Sequence, residues 1–202
     1  MKKPTKVKLG KSGLPLASHN PHIDFHNTEE AMFAVYQLGK ISLVWNYCEH
    51  ILGVLIWPHF GDYKKGMAVT ANLGNQSRAD LLMDLVNKFE ENKAIIKKIE
   101  FATKAFNRLR EIRNILMHSH SIEQRDNKMF EWRRTASKGP SGHTGSLASV
   151  ADLVKIEHNI LQLTSFLHEI HFYYLAVANN RNPPELPIEF EIPNKFPRAE
   201  SG

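Results

Sequence analysis

From Lys93 to Leu116 the apolar side chains return with a helical period, and that pattern constrains the fold more than any other feature of the chain. On an ideal wheel Ile99, Ala102, Ala105, Phe106, Leu109, Ile112 and Leu116 fall in one arc of roughly 140°. A helix with so wide an apolar stripe needs other helices to cover it, and three more stretches carry matching stripes. Asn27-Thr28-Glu29-Glu30 places an Asn cap with a Glu three positions on, and predicts a helix running to about Trp57, where Pro58 stops it. Its apolar arc is Ala31, Ala34, Leu38, Ile41, Trp45, Cys48, Leu52 and Ile56. Ser77 caps a second helix, Arg78 to about Glu91, with Leu81, Leu82, Leu85, Val86 and Phe89 on one side. The Lys93–Leu116 helix is the third, either separate from the second or continuous with it through a kink near Asn92. A last long helix spans about Ser149 to Ala178. Four substantial helices predict an all-α fold, an antiparallel up-and-down four-helix bundle with a short hairpin or loop insertion before the last helix.

The domain plan follows. Residues 1–27 read as a basic flexible arm, 28–180 as the helical bundle and 181–202, with five prolines, as an extended tail. Residues 58–76 read as irregular, with room for a short turn of helix. Within 119–148, Met129-Phe130-Glu131-Trp132 has strand propensity, and Lys138 to Gly145 reads as a loop.

Several classes are set aside. No apolar run reaches the ~18 residues a bilayer span needs, since Ile51–Trp57 is broken by Gly53. The lysines near the N-terminus have no apolar stretch behind them, so a secretory signal is not expected. Cys48 is the sole cysteine, which excludes an intramolecular disulfide and fits a reducing cytoplasm. The net charge of +5 is uneven. Lys2, Lys3, Lys6, Lys8 and Lys11 account for it, while residues 97–138 hold 11 Lys/Arg against 5 Asp/Glu. Positive charge collected in this way suits a phosphate backbone, although charge alone favours a solvated arm and an ordinary charged helix face.

Two charged residues interrupt the apolar arcs. Arg113 falls between Ala102 and Phe106, and Glu49 lies at the margin of the first helix's arc, in line with Ala31. A guanidinium cannot escape burial by deprotonating, so the expectation is an ion pair between Glu49 and Arg113 across the core, with donors left for a phosphate. The competing expectation is a salt bridge that only fixes helix register. His118 lies five positions past Arg113; if the helix ends near Met117, it can curl back toward the arginine. An imidazole beside an arginine suits RNA cleavage: the histidine moves a proton at the 2′-hydroxyl or 5′-oxygen, and the arginine stabilises the phosphorane. Asn114 positions the phosphate or the histidine, and His120 competes for the histidine role.

Arg113-Asn114-x-x-x-His118 resembles the Arg-x4–6-His signature of HEPN domains, and Trp45-Asn46-Tyr47-Cys48-Glu49 is similar to the family's first helices. The resemblance covers roughly residues 28–180. It implies a metal-independent endoribonuclease without cofactor, working as a homodimer whose two Arg/His sets form one RNA cleft. Many relatives are toxins of toxin–antitoxin pairs or defence effectors with a neutralising protein partner. On this chain it implies Arg113, His118 and Asn114 as the catalytic set, Glu49 and His120 in support, and Arg110, Arg133 and Arg134 as RNA contacts, with Arg125 and Lys138 beside them. Ser119 departs from the glycine common in relatives. The alternative is a non-catalytic HEPN-like module binding a protein or a nucleotide.

Other constellations are weaker. His118-Ser119-His120 lacks a third metal ligand, and His168-Glu169-Ile170-His171 has its histidines three apart rather than four. His171 reads as a core histidine, Arg78 as a first-turn residue reaching solvent, and Tyr173-Tyr174 as core or dimer interface.

Overall fold

The computed structural model describes residues 29–119, 121–124, 129–135 and 143–197. The chain is predominantly helical. Helix α1 (Glu29–Ile56) leads into a 3₁₀ turn (Trp57–Phe60), then α2 (Tyr63–Thr70), α3 (Asn75–Phe89) and α4 (Lys93–Met117). Three strands follow, β1 (Ser121–Gln124), β2 (Met129–Thr135) and β3 (His143–Ser149), before α5 (Val150–Ala178).

Of the local signals behind these boundaries, the stop at Pro58 was read from the sequence, whereas the caps at Asn92 and Ser149 were not. Pro58 ends α1, because it lacks the N–H that a further helical turn requires. Asn92 caps α4 by accepting the N–H of Ala94 at 3.0 Å, which makes α3 and α4 two helices. Ser149 caps α5 in a reciprocal box with Asp152. The expected cap at Ser77 is not used: α3 begins at Asn75, after Gly74. Of the expected loop 138–145, His143–Gly145 belong to β3, and 138–142 lie outside the described residues.

The four long helices share one core, in which Trp45, Phe106, Leu109, Ile112, Leu82, Ile160 and Leu163 are fully buried. Strict up-and-down alternation is not what the contacts give. Lys40 meets Glu157, Tyr47 meets His168, and Val54 and Leu55 share a cavity with Tyr174 and Ala178, so α1 and α5 run in the same direction. α3 runs the same way, from Asn75 beside Glu49 to Phe89 beside His59. Only α4 opposes them, with Phe101 against Phe166 and Asn92 against Tyr173. The cause is the excursion through the 3₁₀ turn and α2. It carries the chain back about two helical turns along α1 before α3 starts. Gly66 allows that close return, since a Cβ there would lie 2.6 Å from the Trp57 Cα.

The insertion is an antiparallel sheet in the order β1-β2-β3, with Ser121 opposite Arg133 and Met129 opposite Ser149. Phe130 and Trp132 point the same way from β2 and are buried with Ala148. The tail is extended, as expected, but it is not loose: Leu186, Phe190, Ile192 and Phe196 pack against the core. Phe89, expected in the core, is exposed.

Candidate functional site

The site read from the sequence lies on the last turns of α4. Trp45 stacks on Phe106 at 4.8 Å, and α1 and α4 run in opposite directions, so each residue added along α4 descends along α1. Arg113, seven residues beyond Phe106, is therefore level with Leu38. Glu49 is eleven residues from Leu38, an offset of roughly 16 Å along the helix. The two share a wheel position but not a height, and no ion pair joins them. Instead the Glu49 carboxylate accepts hydrogen bonds from the Trp45 indole N–H and the Asn75 side-chain amide. The expected Glu49–Arg113 pair is thus replaced by a polar junction between α1 and the first turn of α3.

Arg113 is half-buried. Its Nη1 donates to Asn114 Oδ1 at 3.3 Å, and its Nε is buried with no hydrogen-bond partner. The same register places Gln37 of α1 level with Asn114. Gln37 is 4% exposed, and its Oε1 is also buried without a partner. A donor and an acceptor, both unmet, therefore occupy one level of the interior. Such groups are rare in native proteins and call for an explanation.

α4 ends at Met117, as expected, but His118 does not curl back. Its backbone, at φ −109° and ψ 11°, leaves the helical region, but its N–H still bonds the Asn114 carbonyl at 3.1 Å, which holds it over the last helical turn. The side chain is exposed and makes no hydrogen bond to Arg113 or Asn114. Five residues of continued helix turn it about 140° from Arg113. Ser119 closes the helix end by donating to the Ile115 carbonyl at 2.6 Å.

The remaining residues are scattered. Arg110 donates to Asn107 Oδ1 at 3.3 Å and to Gln76 Oε1 at 3.2 Å. Arg133 is bidentate to Glu131, at 2.7 and 3.1 Å, on the sheet. Arg134 belongs to β2; its side chain, together with His120, Arg125 and Lys138, lies outside the described residues. Among the described residues no group of three could hold a metal ion. Among the described residues no helix is long and apolar enough to cross a membrane. Burial pulls the His171 imidazole below its ordinary range, with His168 adding to the effect. Arg78 donates to the Thr70 carbonyl at 3.2 Å.

Asn75 and Gln76 were missed from the sequence. They stand in the first turn of α3 and tie Glu49 and Arg110 to it. Two amides directly after Gly74 were the available signal, hidden by the assignment of Ser77 as the cap. In comparison with known proteins, no family model matches this chain, and no curated protein or solved structure does so either.

Proposed function

We propose that this protein is a metal-independent endoribonuclease of the HEPN kind, acting as a homodimer, with α1, α3, α4 and α5 as its four-helix unit. The observation that carries this is Arg113: a permanent cation at the end of α4, with Asn114 at its side and a buried donor left unmet. A guanidinium in that state is held ready for an anion. In the proposed reaction the 2′-hydroxyl of RNA attacks the adjacent phosphorus and its proton passes to a base. The 5′-oxygen leaves with a proton from the His118 imidazole, and Arg113 stabilises the charge on the phosphorane. The products are a 2′,3′-cyclic phosphate and a 5′-hydroxyl.

His118 and Arg113 diverge within one chain, so the arginine of one subunit works with the histidine of the other. Met32, Phe33, Tyr36 and Leu43 support such pairing: they are at least half exposed, on the part of α1 that lies level with Arg113. The test mixes two inactive variants. Folded Arg113→Met and His118→Ala proteins each fail to cleave RNA in EDTA, and combined with subunit exchange they regain part of the wild-type rate. Wild-type activity without recovery on mixing would put both groups in one subunit's site. Absence of wild-type cleavage would leave a binding module.

A further inference from the structure

Between the first half of α5 and the tail lies a cavity of about 340 Å³. Its tail wall is pinned along its length. Lys98 bonds Glu189 at 3.1 Å, the Phe190 ring packs 5.2 Å from Phe101, Lys195 bonds Glu111 at 2.8 Å, and Leu147 donates its N–H to the Pro197 carbonyl at 3.0 Å. One lining side chain is Asn159, 5% exposed, whose amide nitrogen is buried and has no hydrogen-bond partner. Buried donors are normally met, so this one marks where a ligand atom belongs.

The rest of the lining narrows the class of ligand. Gln162 and Asn194 add two more side-chain amides, and Phe196 contributes an aromatic wall. Lys155 and Glu191 are exposed and make no ion pair among the described residues, whereas Asp152 is occupied by the Ser149 N–H and hydroxyl. Amides offer a donor and an acceptor together, which matches the edge of a nucleobase, and a ring matches its face. A lysine and a carboxylate suit a phosphate and ribose hydroxyls. The volume is that of a small-ligand pocket.

We propose that this cavity binds a nucleoside monophosphate: the base meets Asn159 and lies against Phe196, Lys155 meets the phosphate, and Glu191 accepts from the ribose. The site is separate from the RNA cleft, because Glu111, on its side of α4, faces about 200° away from Arg113.

Calorimetric titration of the full chain with AMP, GMP, CMP and UMP tests the assignment, with the matching nucleosides and ribose 5-phosphate alongside. The expected result is saturable binding of at least one nucleotide with Kd below about 1 mM. Lys155→Ala weakens it about tenfold toward the nucleoside's affinity. Phe196→Ala and Asn159→Asp weaken nucleotide and nucleoside alike, and Arg113→Met leaves binding intact. Both Lys155 and Phe196 lie outside the deep core, so their variants stay informative if Asn159→Asp fails to fold. No binding of any of the four nucleotides would overturn the proposal. So would equal binding of ribose 5-phosphate, indifference to Lys155→Ala and Phe196→Ala, or loss of binding in Arg113→Met.

Discussion

Replacing Arg113 with methionine should raise the stability of the protein while removing the proposed RNA cleavage. Methionine keeps the apolar stem of the side chain and discards the guanidinium. What is lost is one 3.3 Å hydrogen bond to Asn114, at the long end of the useful range, and no ion pair, because Glu49 bonds Trp45 and Asn75 instead. What is relieved is a buried, unpartnered Nε. An unmet buried donor costs about 1–3 kcal/mol, and more when charged, against about 1.5 kcal/mol for the hydrogen bond given up, the low end for a charged donor because 3.3 Å is long. The net expectation is a gain of roughly 1 kcal/mol, which in a chain of this size raises Tm by roughly 2–4 °C. Urea unfolding followed by circular dichroism should show a higher midpoint with an unchanged slope. A loss of more than about 1 kcal/mol would refute the reasoning, since it would mean the guanidinium is paired inside the folded protein.

Other consequences are independent of that one. Glu49→Ala strands the fully buried Trp45 indole and should cost about 1–3 kcal/mol by urea unfolding, with Glu49→Gln closer to wild type. In a double-mutant cycle its effect should add to that of Arg113→Met within about 0.5 kcal/mol, and a larger coupling would restore the ion pair. Burial pushes the Cys48 thiol up to about 12, so alkylation near pH 8 should be at least about a thousandfold slower in the folded protein than in denaturant; comparable rates would contradict its burial. Burial lowers the His59 and His171 pKa values, so below about pH 6.5 the unfolded chain binds protons that the folded chain refuses. Stability should therefore decline from pH 7.5 to 5.5, and His171→Gln should flatten that decline.

The fold was legible where a signal is local. Pro58 acts on its own neighbours, the last helix starts at Ser149 as read, and the arc from Ile99 to Leu116 is buried throughout because periodicity alone sets which face turns inward; Asn92, read as at most a kink, is a cap. What failed needed height or partners. A helical wheel discards position along the axis, which is why Glu49 and Arg113 looked opposed while lying eleven residues out of register. Helix direction depended on how far α2 brings the chain back, a distance set by the fit of Gly66 against Trp57. The tail was read from its prolines, and its spaced Leu186, Phe190, Ile192 and Phe196 were passed over because extended chain has no period that shows packing. At the site, Arg113 and Asn114 were placed correctly on the last turns of α4. The path of His118 past the helix end depended on backbone angles that no residue there dictates.

The most direct measurement is the rate at which purified protein cleaves a labelled RNA in EDTA, beside a His118→Ala variant shown to be folded. The account predicts cleavage that leaves a 2′,3′-cyclic phosphate and slows about 10²–10⁴-fold without the imidazole. Equal rates for the two proteins, or no cleavage by the wild type, would contradict it.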